Sequence, residues 1–366
     1  MLNSLIKKQS MSFNVPTKKK IPFQIRAPFW QYLNRYNRQI ELPIYYEDLL
    51  RYVSSIPLYK DGEDTLWDTV FYTEADTDEL YKALTKTYAL LKADGDEEML
   101  EHLAVARIDF CHFGNTQPFR VRIINQINDN YDHFYVKRAD ASRLYGLELE
   151  HVMSPSDISY LVNDDTLIEE HIAGIPGYEF MEHNLEDTTF NQIRIAKEFV
   201  KFNERCFVRL LGDMRAYNYV VDITPDIEGK QFRFRAIDFD QQSYEGWKSF
   251  YLPQYFKENN PIIFLGIQHI SMETMRQYQL EERTLMAMRI KMNRTRVNDL
   301  LNIMVEDTIS SPDKVEQLRN ELSVHHKNNV FLQCRTMGEI VTTHIRLLVQ
   351  KDFKQSMSVW DKIPEV

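Results

Sequence analysis

Along the 366-residue chain the apolar positions change period more than once. From about residue 25 to 103 they recur mostly at three- and four-residue steps, the spacing that lines one face of a helix. The clearest stretch is 76–93, where Leu80, Leu84, Tyr88 and Leu91 form one stripe. Asp76 can cap it, Glu79 stands three residues later as in a capping box, and Gly95 stops it. At about residue 104 the period becomes two. Ala106, Ile108 and Phe110 alternate with Arg107 and Asp109, Phe119, Val121 and Ile123 with Arg120 and Arg122, and Phe134 and Val136 with Tyr135 and Lys137. Turn-like connections at 112–118 and 128–131 join these three strands into a predicted antiparallel meander.

A helix is predicted over 140–153, closed by Pro155, and then two short strands at 158–162 and 166–172 around the turn NDD at 163–165. From Thr188 the helical period returns, with Phe190, Ile193, Ala196 and Val200 on one stripe running to about Phe207. Strands at 219–223 and 232–237 follow, joined by the turn-rich TPDIEGK. From about Pro253 the chain reads as helical, with a helix start at Ser311-Pro312 and a second capping box at Thr336 and Glu339. There is no internal repeat and no low-complexity tract.

The length allows two or three domains. With 43% hydrophobic and 27% charged residues the chain is ordinary globular material, which excludes collagen, a disordered tail and a pure coiled coil. Eleven glycines, against a norm of ~7%, leave little material for a glycine-rich loop. The net charge of −10 argues against a general nucleic-acid-binding surface and suits a local, metal-assisted anion pocket. No apolar run approaches the ~18 residues of a membrane span. The first 24 residues are polar and basic, without the apolar core of a signal peptide, and read as a loose terminus. Cys111, Cys206 and Cys334 are few and far apart. They read as reduced, half-buried thiols of a cytoplasmic protein, with neither a disulfide framework nor a zinc knuckle. The histidines, His325-His326 included, form no HExxH motif.

Five motifs carry candidate chemistry. Lys137 ends the third strand, in FYVK, where an ammonium can hold phosphate oxygens. Glu148 or Glu150, in GLELEHV, can hold that lysine extended; Glu148 and His151 have metal-ligand spacing but no third ligand nearby. In TLIEEHIAGIPG a strand runs into a turn that can present backbone groups of Glu170 and Ile172 to a ligand. In LLGDMRAYNYVV, Asp213 and Asn218 stand five apart on a loop between helix and strand, able to orient a hydroxyl and hold a hard cation. Arg215 adds a positive group for a transferred phosphate. In FRAIDFDQQ, Asp238 and Asp240 follow an apolar strand, and paired carboxylates there need a cation or a proton between them.

In this order the motifs resemble a protein-kinase-like fold, in the branch of aminoglycoside and choline phosphotransferases. DMRAYN also looks like the DLRAAN catalytic loop of tyrosine kinases. The motifs span about 104–250. The resemblance implies an α+β, bilobal architecture: a helical N-terminal extension (1–103), a small antiparallel-sheet lobe (104–172) and a larger helical lobe (173–366). It implies an ATP- and Mg²⁺-dependent phosphotransferase acting on a hydroxyl of an unidentified small molecule or protein, without nucleic-acid or membrane partners. Lys137 would contact the α- and β-phosphates, held by Glu150 or Glu148, and backbone groups of Glu170 and Ile172 would meet the adenine. Asp213 would be the catalytic base, Arg215 would steady the moving phosphoryl group, and Asn218 and Asp238 would ligate Mg²⁺, with Asp240 on a second ion. The loop HFGNTQPF has only Gly114, and Tyr135 sits where a small residue usually lines the adenine pocket. Both features recur in pseudokinases. The alternative expectation is therefore a catalytically inactive, kinase-like scaffold that binds a nucleotide or a partner.

Overall fold

The period-two region from residue 104 is an antiparallel meander. The computed structural model describes residues 20–350 apart from 61, 94–96, 113–115, 186, 188 and 228. Gly95, Gly114, Thr188 and most of the basic N-terminus lie outside the described residues. The chain divides into two units, one built on Pro43–Arg138, the other on Phe23–Leu42 and the chain from Ala139 onward.

Past α1 (Ala27–Arg35), which belongs to the second unit, the first unit runs α2 (Tyr46–Leu49), β1 (Ser54–Lys60), β2 (Glu63–Phe71), α3 (Glu74–Ala93), β3 (Leu103–Phe110), β4 (Phe119–Asn125) and β5 (Tyr131–Arg138). The five strands pair in chain order, each antiparallel to the next, with Phe110 opposite Phe119 and Phe119 opposite Val136. Phe119, Val121, Ile123, Phe134 and Val136 all point inward, as their alternation requires. Ala106 does not: a register shift between Val105 and Arg107 turns Val105 and Ile108 to the core and leaves Ala106 exposed.

The mostly helical reading of 25–103 fails at the β1–β2 hairpin. β1 is largely exposed on both faces and carries Pro57, and β2 is half-buried along most of its length, so no alternation marks them. In α3 the stripe Leu80, Leu84, Leu91 is buried as expected, but the cap is Thr73. Its Oγ1 accepts from the Asp76 N–H at 3.2 Å and donates to the Asp76 carboxylate at 2.6 Å. The cap stands one turn earlier than Asp76–Glu79, and the helix starts at Glu74.

The second unit contains α4 (Ala141–Met153), the hairpin β6 (Tyr160–Asn163) and β7 (Thr166–Glu170), β8 (Ile175–Pro176), α5 (Gly177–Glu179), α6 (Gln192–Arg209) and the strands β9 (Tyr219–Asp226) and β10 (Gly229–Ala236). Helices α7 (Asn260–His269), α8 (Met272–Met292), α9 (Arg294–Glu306), α10 (Pro312–His326) and α11 (Met337–Ile345) complete it. β9 lies between β8 and β10, with Tyr219 opposite Ala236. Helix α4 is capped by Asp140 and buried almost all round, so its charged residues cannot form a solvated face. In α6 the inward stripe is Ile195, Ala196, Phe199, Phe202 and Cys206, whereas Ile193 is exposed. That stripe packs Phe199 and Phe202 against Tyr219 and Phe234, rings that each contribute about 1.5–3 kcal/mol by burial. At α11, Thr336 accepts from the Glu339 N–H at 3.1 Å, the expected cap.

Cys111, Cys206 and Cys334 are unpaired thiols. Among the described residues no helix is long and apolar enough to cross a membrane.

Candidate functional site

The loop between α6 and β9 is held in an unusual backbone path. Leu210 (φ +55°) and Asp213 (φ +58°) both lie in the left-handed region, which disfavours ordinary side chains. The loop stays there because its neighbours over-determine it. Ser243 N–H donates to the Leu210 carbonyl at 2.8 Å, Gly212 N–H to Gln241 at 3.1 Å and Asp213 N–H to Phe250 at 3.2 Å. A Cβ on Gly212 would stand 2.5 Å from the Phe250 ring, so the approach needs glycine.

This path turns Asp213, Arg215 and Asn218 into one cluster. Arg215 Nε donates to Asp213 Oδ1 at 2.9 Å, and its Nη1 to Glu258 at 2.9 Å. Its guanidinium also lies 5.1 Å from the centre of the Phe256 ring. Asn218 Nδ2 donates to the Asp213 carbonyl at 2.8 Å, which leaves its Oδ1 as the acceptor. Ile237 N–H donates to the Asn218 carbonyl at 3.0 Å, fixing the segment that carries Asp238 beside Asn218. Burial pushes the Asp213 carboxyl up to about 6 against the pull of Arg215, with Asp238 and Glu258 adding to the rise.

Asp238 and Asp240 meet a cation that the sequence reading missed. Arg143, on α4, donates from Nη2 to Asp238 at 2.7 Å, from Nε to Asp240 at 2.7 Å and from Nη1 to Glu169 at 2.8 Å. The signal was the carboxylate pair itself, which requires a cation; nothing local in the sequence named Arg143 as that cation. Burial works against the arginine's charge, yet Asp240, Glu169 and Asp238 together hold it protonated, well above its usual range.

Glu148 and Glu150, the two candidate partners of Lys137, each engage an arginine of the second unit. Glu148 is fully buried and accepts from Tyr32 at 2.5 Å, Tyr160 at 2.7 Å, Arg38 at 3.2 Å and Arg296 at 2.8 Å. Burial opposes its charge, but Arg296 and Arg38 hold its carboxyl below the usual range. Glu150 pairs with buried Arg209 on α6. Both carboxylates anchor α4 within the second unit. Lys137, in the first unit, is buried, with Nζ 5.1 Å from the centre of the Tyr135 ring. Glu170 exchanges hydrogen bonds with Ser159: its N–H donates to the Ser159 carbonyl at 3.1 Å and its carboxylate accepts from the Ser159 N–H at 2.7 Å. Ile172 is buried in the core.

Among the described residues no group of three or more His, Cys, Asp or Glu side chains could hold a metal by itself. Beside Asp213 stand one amide oxygen, from Asn218, and one carboxylate, from Asp238, whose Oδ1 also accepts from Arg143. That set fits Mg²⁺, which usually takes one or two protein carboxylates and fills its sphere with water and substrate phosphates. A separate open groove of about 400 Å³ lies at the turn end of β9–β10, beside Arg194 and Asp226.

No family model and no curated protein sequence matches the chain. Among solved structures, the PAN3 pseudokinase of Neurospora crassa aligns with 68% of this chain at 8% sequence identity and a TM-score of 0.18. The alignment spans about three fifths of that structure's own length, 61%.

Proposed function

We propose that the chain is a kinase-like phosphotransferase module, of the aminoglycoside and choline phosphotransferase type, that uses ATP and Mg²⁺ to phosphorylate a hydroxyl of a small molecule or protein. The observation that carries this reading is the Asp213 carboxylate, raised to about 6, on a strained loop next to Asn218 and the Asp238 segment. A carboxylate with that pKa is ionised at neutral pH and basic enough to orient a hydroxyl and accept its proton as phosphoryl transfer proceeds. Asn218 Oδ1 and Asp238 would hold Mg²⁺, which supplies charge neutralisation of the phosphates when bound. Arg215 keeps Asp213 oriented and adds positive charge beside the transfer position. Backbone groups of Glu170 and Ile172 would meet the base. Unpaired thiols suit a cytoplasmic location.

A second reading is a catalytically inactive scaffold of the same type. It is favoured by Arg143, which already supplies Asp238 and Asp240 with a cation, and by the engagement of Glu148 and Glu150 elsewhere. One experiment separates the two: thermal-shift titration with ATP and Mg²⁺, followed by ATP consumption across a panel of hydroxyl acceptors. Binding plus consumption that Asp213→Ala abolishes supports the enzyme. Binding without consumption supports the scaffold. No binding by the wild type removes both nucleotide readings.

A further inference from the structure

We propose that α7 is a self-association surface, on which a second copy of this chain docks with its own α7 running antiparallel. The inference stands apart from the phosphotransfer reading and needs neither nucleotide binding nor turnover.

Helix α7, NPIIFLGIQH, is apolar nearly all round. A helix of that composition is ordinarily buried on every side. Here Ile262 and Leu265 pack into the core, while Phe264 is 57% and Ile267 71% exposed. Ile263, Gly266, Ile267 and Ile270 fall at helical spacing and make a second apolar stripe, beside the one buried through Ile262 and Leu265. Met272, 63% exposed, extends it past the end of the helix. A Cβ added at Gly266 would meet nothing within 4 Å. Nothing in the protomer therefore calls for a glycine there, which weakens a helix relative to alanine. The missing side chain admits the close approach of a second backbone.

Charge selects the occupant. No Asp, Glu, Lys or Arg occurs from Asn259 to Met272, in a chain where such residues make up 27%. In a two-fold contact a patch meets itself, so on a chain of net charge −10 an uncharged centre avoids setting like charges together. The two ends of the helix carry opposite signs. Lys257 precedes α7 and Glu273 follows it, both exposed and neither with an ion pair or hydrogen bond among the described residues. An antiparallel crossing lays the Lys257 end of one α7 beside the Glu273 end of the other, and the two-fold makes that pairing twice; the helix dipoles are then opposed as well. The lack of Lys and Arg on α7 sets it apart from helices that lie on a membrane, whose polar face is basic.

The test is sedimentation velocity of the full chain, without nucleotide, from low to high micromolar concentration. One short helix per partner is at the small end of specific interfaces, so the wild type is expected to dimerise with a Kd of about 10–100 μM. Ile267→Glu sets two like charges in the centre of the contact and is expected to weaken the dimer at least ~10-fold. Because the residue is exposed, the melting midpoint of the monomer should stay within about 2 °C. Lys257→Glu is expected to weaken the dimer about 2- to 5-fold, and Lys257→Glu/Glu273→Lys to restore it, since exchanging both charges keeps the pairing. A wild type that stays monomeric overturns the inference, whether or not it sediments with phosphatidylcholine vesicles. So does a dimer indifferent to Ile267→Glu, and a double variant no better than Lys257→Glu overturns the antiparallel arrangement. If Ile267→Glu does not fold, Phe264→Ser takes its place with the same two outcomes.

Discussion

Asn218 Nδ2 donates to the backbone carbonyl of Asp213 at 2.8 Å and stands 3.5 Å from the same residue's carboxylate. One amide therefore fixes both the strained peptide and the side chain that it carries. Because the Asn218 carbonyl accepts from Ile237, the same residue also sets where Asp238 begins. The five-residue spacing is a mechanical unit: a carboxylate, its brace and the anchor of the Asp238 segment in one turn.

Asp213→Asn separates stability from chemistry. The Asp213 carboxyl is raised from its ordinary value to about 6, so its ionisation works against folding. For an acid shifted upward, the folded state binds more protons than the unfolded state between the two values. This group's contribution to stability therefore falls as pH rises from ~4 to ~6 and is flat above. Asparagine tolerates the left-handed backbone and has no charge to bury. The variant is expected to gain about 1 kcal/mol at pH 7, or a few degrees in Tm, and less at pH 5. It should keep nucleotide binding and lose turnover. In the wild type, turnover should rise with pH through about 6. Melting curves at the two pH values, with an ATP-consumption assay, check all four statements.

Asp238→Ala addresses the cation. The substitution removes the carboxylate assigned to Mg²⁺ and one of the three partners of Arg143. Asp240 and Glu169 remain on that arginine, so the fold is expected to survive. Mg²⁺-dependent ATP affinity should fall at least ~10-fold, while binding measured in EDTA should barely change. Calorimetry in the two buffers reads the difference; equal losses in both would move Asp238 away from the metal.

How far the chain could be read depended on whether a signal was local. Strands such as β4 and β10 announce themselves because one residue is buried and the next is not. The β1–β2 hairpin, with β1 exposed and β2 half-buried on both faces, has no such contrast. Asp213 and Asn218 were legible because a short turn makes their contact. Arg143 was not, since its partners lie 26, 95 and 97 residues away. Glu148 and Glu150 looked like a choice of partner for one lysine. In the fold, α4 is buried on nearly every side, and each glutamate finds an arginine of another element.

Glu148→Gln tests that reassignment. Glutamine keeps the shape and loses the charge, leaving Arg38 and Arg296 facing a neutral group. Breaking a buried ion pair from one side costs about 3–5 kcal/mol, and a similar loss is expected in chemical denaturation. Below the unfolding midpoint, ATP binding per folded molecule should match the wild type. A stable variant with lost ATP affinity would favour Glu148 as the group that holds Lys137.

The last prediction lies away from the candidate site, in the core between α6, α10 and α11. His344 is fully buried; its Nδ1 is 3.3 Å from the Val208 carbonyl and its Nε2 3.0 Å from Nε2 of His326. With Nδ1–H given to Val208, His344 Nε2 must accept, and His326 must donate. A proton added to His344 would set two N–H groups against each other. Burial pushes His326 down to about 4, helped by His325, Arg283 and Lys248 nearby, and also holds His344 well below the ordinary range. In the unfolded chain both rings protonate near the ordinary value of 6.5. The unfolded state thus binds more protons below 6.5, so this pair's stabilisation is complete above that pH and is lost as pH falls towards 4. His326→Gln retains a donor for His344 Nε2 and removes one titrating ring. Its stability is expected to be less sensitive between pH 6.5 and 5, a window above most carboxylates, by about 1 kcal/mol once screening of the half-exposed ring is allowed for. Urea denaturation across that window gives the slope, and a slope equal to the wild type's would show that the histidine pair does not govern acid sensitivity.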